Sequence, residues 1–567
     1  MSDTQRTVLT FSLVALLTLS IPFYLQLLGI APDQEELPLT TKNPDIKIAQ
    51  VEKPIEEKKD FSLVSPKDSS VGSLAFIVQT DLFRVLVSNV SGGSLSSFTI
   101  TDPGTKAYQY VGGYNNLNEY DDSVSVNLLN SESGFSLCSP CLNLNQEGGS
   151  QYNVPFSIDS PNITNNQVFN IVAGDSLVVL MNYRENNSFI QKKTVFYGNS
   201  YIINHSWQTQ NIENINVGWN AGIRPTEKNL SEEITYSSAY VAQNKNIETI
   251  SFSPGALSDS SDSINLAGST DWVAVRNKYF ISSLISNNAS GGFAGGVAAA
   301  FNKNTFVPQY SMGLNFNKSS FSVRQFFGPL DIDLISESNT YLDRVMNFGW
   351  LPMQPFSRSV LWILKTLYLT GLNYGLILIL FAFLVRVITG PLTKRSFESS
   401  QKMQDIQPKL KALQEKHKND KARLNQKMVE FYKKEGYNPL GGCLPMIIQM
   451  PLLFSLFIVF RSTIEFRGAP FFGWINNLSQ PDILFNLGFS VPLYGSHVSF
   501  LPIILGVSMF MSQKLSMANM DPKQKPMMYI MSAFFFLIFN SFPSGLNIYY
   551  AVYNILNYFQ QKGLKKA

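Results

Sequence analysis

The chain has 567 residues, with 44 lysines and arginines against 41 aspartates and glutamates and 45% hydrophobic residues. Its near-neutral average hides a polar, Ser/Asn-rich middle and a strongly apolar last third, so the composition is read in parts. A single soluble core is excluded; a membrane domain joined to an extramembrane domain is expected.

Taken in order, Val8 to Leu28 forms the first apolar span, interrupted at Pro22. Its length, with no small-residue cleavage site after it, reads as an uncleaved signal-anchor over 1–30 rather than a cleaved signal peptide. Residues 31–63 are rich in Pro, Glu and Lys and hold too few large apolar residues to fold, so they read as a disordered linker. From 64 to 340 β-branched and aromatic residues alternate with polar ones between turn residues, as in LAFIVQT and FRVLVSNVSGG. That is the pattern of strands, and so many without helical periods predict a large β-sandwich. His205, the only histidine there, is expected to serve packing or the surface. Cys138 and Cys141 form a lone CSPC. One pair cannot supply a four-ligand zinc site, and a local disulfide is the reading if the domain lies outside the cytoplasm.

Residues 352–370 are amphipathic, with Val360, Ile363, Leu364 and Leu367 on one face, and are expected to lie flat in the outer interface of the membrane. The span 371–393 is nearly all apolar except for Arg386. The next cation, Lys394, comes eight residues later, roughly 12 Å at helical rise. Within a hydrocarbon core of ~30 Å that is too deep for easy snorkelling. Arg386 is therefore expected to face protein or trapped water, as a functional site or as an interhelical hydrogen-bond post.

The basic segment 394–436 has narrow apolar seams at Met403, Ile406, Leu410 and Leu413, then Leu424, Met428 and Phe431, on either side of HKND. It predicts a cytoplasmic helical hairpin. Lys409, Lys411, Lys416 and Lys418 are candidates for docking a cytoplasmic partner; a topology determinant is the plainer reading. Further spans are expected at 443–465, 497–515, 527–542 and 546–562. Between them lie an outer loop at 466–496, a cytoplasmic loop at 516–526 carrying Lys523 and Lys525, and the tight turn Pro543-Ser544-Gly545. Six spans leave both termini and every basic loop inside. The last spans approach the lower limit of ~17 residues for crossing and are expected to thin the bilayer. Met509, Met511, Met517, Met520, Met527, Met528 and Met531 cluster toward their cytoplasmic ends, suited to gripping varied apolar sequences or to filling gaps in a bundle.

The spans hold no Ser/His pair, paired aspartates or HExxH, and the chain has no P-loop. No enzyme activity, cofactor, metal, nucleotide or DNA partner is expected. No aspartate lies in any span, which removes the carboxylate relay of a proton-coupled carrier. What remains is Arg386 in the neutral polar company of Gln449, Asn540, Ser541, Asn547, Tyr549 and Tyr550. That set implies a hydrated, non-catalytic cavity.

The blocks LVRVITGPLTKRS, YNPLGGCLPMIIQMPLLFSLF, IEFRGAPF and FPSGLNIYYAVYNILNYFQQ occur in that order. Together they resemble the YidC-type membrane protein insertases, and the added anchor and β-domain resemble the family's Gram-negative form. The likeness is close from about 350 to 561 and weaker before. It implies a polytopic α-helical protein of six transmembrane helices, with a five-helix insertase core, a large periplasmic β-sandwich and a cytoplasmic helical hairpin, in the bacterial inner membrane. It also implies a substrate groove open to cytoplasm and lipid, in which Arg386, Gln449, Tyr549 and Tyr550 match the family's positions. Asn540 and Ser541 stand where bulky apolar residues are common and are expected to widen or wet that groove; Arg461 is expected to snorkel outward. The implied function is inserting and helping to fold newly made inner-membrane proteins, alone or with the Sec translocon. The implied partners are nascent membrane proteins, the lipid bilayer, and a ribosome or signal recognition particle at the cytoplasmic loops. A solute transporter and a membrane-anchored periplasmic chaperone are the alternatives.

Overall fold

The computed structural model describes residues 72–101, 109–129, 138–144, 150–185, 187–212, 215–257, 260–302, 305–417, 420–436, 444–517 and 525–566. The anchor expected over 1–30 and the linker over 31–63 lie outside the described residues. Two compact units emerge: one runs through Pro329 and includes Leu334–Tyr341, the other holds Leu330–Asp333 and everything from Leu342.

The first unit is β-rich. Strands such as Phe83–Ser88 and Ile202–Gln210 alternate buried and more exposed positions, as a half-buried pleated surface requires. They build a 12-stranded sheet and a 4-stranded sheet. The spine of the larger one is an antiparallel run of Ser261–Arg276, Phe280–Asn302 and Thr305–Phe316, with bulges between Ala267 and Trp272 that bend the first of these. The smaller sheet lies against the larger one, with Phe98 ring-to-ring with Phe327 at 4.3 Å. A short helix, α1 (Leu230–Tyr236), is capped by the Asn229 side chain, and its Ile234 joins a small core with Leu257 and Val307.

His205 is fully buried, bonded to Thr194 (3.2 Å) and Gln325 (3.0 Å), so it packs and does not serve the surface. Beside it, burial pushes the Lys192 ammonium down to about 7, while the Gly93 and Pro140 carbonyls accept from it and the Trp207 ring lies 5.2 Å away. Cys138 and Cys141 are disulfide-bonded.

The second unit is helical. The short α2 (Ile332–Ser336) is divided between the two units, and after it α3 (Gln354–Tyr368) starts with a proline in its first turn, where the missing N–H costs nothing. Its buried side is Ser357, Val360, Leu361 and Leu364, packed toward α6, while Phe356 and Trp362 are exposed. Leu361, rather than Ile363 and Leu367, completes the packed face.

Next, α4 (Tyr374–Lys416) is one helix of 43 residues, capped by Asn373. The span expected over 371–393 and the first arm of the hairpin are therefore continuous, through Pro391 and Pro408. Around the first of these the helix binds its own polar groups: the Thr389 hydroxyl donates to the Val385 carbonyl (2.8 Å) and the Thr393 hydroxyl to Thr389 (3.0 Å). The second arm is α5 (Lys421–Lys434), capped by Asp420.

The remaining helices are α6 (Leu444–Ser462), α7 (Leu501–Met517), α8 (Lys525–Phe539) and α9 (Ser544–Lys566). Among the described residues only the stretch Tyr374–Lys394 is both long and apolar enough to cross a membrane by itself, and Gln449–Ser462 is a shorter apolar helix. The expected outer loop contains a β-hairpin, Ile483–Val491 with Gly495–Ser499, so α7 starts at Leu501 and His497 and Val498 belong to a strand. The turn into α9 is tight because Gly545 lies against Phe460; a Cβ there would come within 2.4 Å of the ring.

Candidate functional site

Arg386 projects from α4 and is only 6% exposed. Its Nη1 donates to Thr393 Oγ1 at 3.3 Å and, at the limit of hydrogen-bond length, to the Tyr553 hydroxyl at 3.5 Å. The guanidinium carbon also stands 5.5 Å from the Tyr553 ring centre, within cation–π range. Because the Thr393 hydroxyl spends its proton on the Thr389 carbonyl, its oxygen is left to accept from the arginine. The other two guanidinium nitrogens, Nε and Nη2, are buried without a hydrogen-bond acceptor among the described residues. Those two nitrogens form one edge of the planar fork, the edge that matches a carboxylate with two parallel bonds.

Beyond Tyr553 the α9 aromatics continue the site. Tyr553 stacks on Tyr549 at 6.0 Å, Tyr549 meets Tyr550 edge-on at 4.9 Å, and Phe381 of α4 lies 5.7 Å from Tyr549. Gln449 of α6 bears on both the Tyr549 and Tyr550 hydroxyls, yet its Nε2 and both phenol oxygens lack a well-formed hydrogen bond. The α4, α6 and α9 helices thus bring Arg386, Gln449, Tyr549 and Tyr550 into one polar string sunk among apolar side chains. Next to Arg386 an open cleft of about 550 Å³ is lined by Arg386, Val387, Gly390, Pro391, Lys394 and Gln560, with Gln560 donating to the Gly390 carbonyl at 3.3 Å.

Asn540 and Ser541 are elsewhere. Asn540 Nδ2 donates to the carbonyls of Tyr494 (2.8 Å) and His497 (2.7 Å), and its Oδ1 accepts from the Ser499 amide (2.9 Å). The Ser541 hydroxyl donates to Tyr494 at 3.2 Å. They tie the outer hairpin to the end of α8, so the expectation that they wet the groove is corrected: their polar atoms are consumed by hairpin backbone. Asn547 likewise donates to the Phe539 carbonyl (3.1 Å), closing the turn between α8 and α9. Arg461 lies over the Phe457 ring at 4.9 Å.

Of the docking candidates, Lys409 bridges to Glu435 at 3.2 Å and so joins the two arms of the hairpin. Lys411 and Lys416 are exposed on α4. Lys418 and Lys523 lie outside the described residues, and Lys525 opens α8.

Two members of the site escape a reading of the residues alone. Tyr553 looks like one more aromatic in an aromatic-rich helix, and Gln560 like a polar residue near a chain end. Their spacing was the available signal: Tyr549, Tyr553 and Gln560 recur at four and seven residues, on one helix face.

Residues 116–363 match the family described as YidC periplasmic domain, and residues 366–567 the family described as 60Kd inner membrane protein. Together with the β-rich and helical units, these define an inner-membrane protein carrying a periplasmic β-rich domain. Aligned residues are 36% identical to the membrane protein insertase YidC of Chlorobium phaeovibrioides, over 65% of this chain and 65% of that protein. For the same-named protein of Chloroherpeton thalassium the figures are 36% identity and 66% of each chain. The chain belongs to the YidC family, and it spans just under two thirds of the length of the curated relatives it matches. A solved structure described as an active YidC insertase with its first transmembrane domain resolved aligns over 84% of this chain at 17% identity and a TM-score of 0.32.

Proposed function

We propose that this chain inserts newly made proteins into the inner membrane, and helps them fold, by offering a polar, lipid-open groove centred on Arg386. In this reading it is six-spanning, with the segments at 1–30, 371–393, 443–465, 497–515, 527–542 and 546–562 crossing. Both termini and the α4–α5 hairpin are cytoplasmic. The observation that supports it is the free edge of Arg386: a buried guanidinium with two unsatisfied donors, beside a cleft and a string of tyrosines. Burying such donors without partners is costly, so a group that supplies acceptors binds there with advantage.

The mechanism is a lowered barrier and involves no covalent step. A translocated polar segment, above all one with an Asp or Glu, meets the Nε and Nη2 edge of Arg386 instead of bare hydrocarbon. Tyr549, Tyr550 and Gln449 offer further hydrogen-bonding groups along its path. The apolar segment that follows partitions into lipid, and its own transfer free energy drives the process. Short spans such as α8, with 15 residues and roughly 22 Å long, reduce the thickness to be crossed. Lys411 and Lys416 on the hairpin, with Lys418 and the Lys523–Lys525 loop, are assigned to docking a ribosome, a signal recognition particle or the Sec translocon.

The test compares Arg386→Lys with Arg386→Ala on two substrates, one with an acidic and one with a neutral translocated segment. Lysine keeps the charge and loses the fork. Insertion of the acidic substrate is expected to fall in the order wild type, lysine, alanine, and the neutral substrate to change least. Equal loss on both substrates, with both variants unfolding earlier, would make Arg386 a scaffold post and remove the proposal's support.

A further inference from the structure

The outer loop between α6 and α7 carries a surface that the insertion mechanism does not use. Its hairpin strand Ile483–Val491 is exposed along nearly its whole length on both faces. The exposure of Leu484 with Phe485 (56%), and of Phe489 (64%) beyond the register shift after Asn486, leaves no part of the strand packed. Nearby, Phe472 is 76% exposed and the Trp474 ring is also uncovered.

A two-stranded hairpin is marginal in water, and exposed apolar strands with open edges invite aggregation. Soluble loops avoid this with charge. Residues 468–500 contain a single Asp, Glu, Lys or Arg, namely Asp482. That carboxylate is buried and accepts from the amides of Phe500 (3.2 Å) and Leu501 (2.9 Å), capping α7. The hairpin therefore presents no charge to its surroundings.

We infer that this hairpin is an interfacial anchor, lying in the headgroup region of the outer leaflet with its aromatic side chains in the upper acyl chains. Three observations choose lipid over a protein partner. The strand Gly495–Ser499 passes through Phe500 directly into α7, whose Ile503, Ile504, Val507 and Phe510 are exposed as lipid-facing side chains are, so the apolar surface is continuous. The strand is predominantly apolar and uncharged, with Asn486 and Ser490 as its polar side chains, a mixture that suits the boundary between acyl chains and headgroups better than a dry protein interface. Trp474 and Tyr494, whose rings carry a polar end, match the aromatic belt of membrane proteins. The depth is bounded as well: each strand keeps an unpaired edge, and unsatisfied backbone groups are excluded from the hydrocarbon core. Asn540 holds the hairpin at that level by bonding Tyr494, His497 and Ser499 to the end of α8.

The test uses the full chain in lipid vesicles with Cys443→Ser, which leaves the paired Cys138 and Cys141 unreactive. An environment-sensitive fluorophore is attached singly at Phe489→Cys or at Leu484→Cys. Ser231→Cys, exposed on α1, is the aqueous reference. Both hairpin labels are expected to be several-fold less accessible to iodide than the Ser231 label. They are expected to be quenched more by lipids brominated near the headgroup than by lipids brominated at the chain end. Iodide access equal to that at Ser231 would place the hairpin in water and overturn the inference. Shielding from both quenchers would mean a protein cover, and stronger quenching by chain-end bromines a spanning position; either also overturns it.

Discussion

At the scale of single residues, the centre of the helical unit is a contest between the cost of burying Arg386 and what its neighbours return. Tyr553 returns most, as ring and as acceptor. The 3.5 Å hydroxyl contact is long, so Tyr553→Phe is expected to cost under about 0.5 kcal/mol. Tyr553→Ala removes the cation–π contact, about 0.5–2 kcal/mol, and is expected to slow insertion of an acidic substrate roughly 2- to 30-fold. Insertion kinetics with acidic and neutral substrates check this; equal losses on both would indicate packing alone. Arg386 was legible because a charge in an apolar run is conspicuous whatever surrounds it. Asn540 was misread for the same reason. A polar residue near the end of a span looks alike whether it faces a cavity or bonds a neighbouring loop, and only the hairpin backbone, distant in sequence, decides. The hairpin itself was read as a loop, because its Asn, Gly and Pro content masks the short apolar strand.

At the scale of elements, α3 is fixed by one lysine. Lys365 Nζ lies 3.0 Å from Asp331, 2.5 Å from Asp333 and 3.5 Å from Glu465, joining α3 and the segment before it to the corner after α6. Burial alone would depress its ammonium, but the three carboxylates outweigh that and hold it above the ordinary lysine range. Glu465 has a side chain only 5% exposed, and Lys365 brings a cation within 3.5 Å of it. Lys365→Gln takes away the opposing charge and strands that carboxylate. Destabilisation at neutral pH is the expected outcome. The signs separate wild type from variant. In the wild type the lysine's contribution is complete below its unfolded pKa and is lost as pH rises through the raised folded value. In the variant this pH-dependent contribution is absent. Thermal midpoints of the full chain from neutral pH to above about 10.4, where an unfolded lysine begins to lose its proton, are expected to fall more steeply for the wild type than for the variant. A variant whose deficit is constant with pH would show the cluster to be energetically idle. The amphipathic character of α3 was legible from residue spacing, whereas this ionic cluster, assembled from three separate segments, was not.

At the scale of the whole molecule, the polar groups of the groove among the described residues belong to α4, α6 and α9. Deleting residues 64–320 is therefore expected to leave insertion largely intact, measured as protease protection of a small substrate in vesicles. Loss of insertion with the truncated protein still folded in the membrane would move part of the function into the β-rich unit. The division into a β-rich and a helical unit was readable from the switch between alternating and long apolar patterns. The pairing order of the large sheet was not, since its partners lie far apart in the chain, as with His205 and Val323.

The continuity of α4 has a mechanical meaning. From Arg386 to Lys416 is thirty residues of unbroken helix, a rod of roughly 45 Å. Rods of this kind transmit tilt and resist compression, and they bend where a hydrogen bond is missing, which here is at Pro391, five positions from the arginine, and at Pro408 farther along the arm. Of these two joints, the nearer lies beside the guanidinium. The arm is a jointed lever, and its inner joint adjoins the buried guanidinium of Arg386.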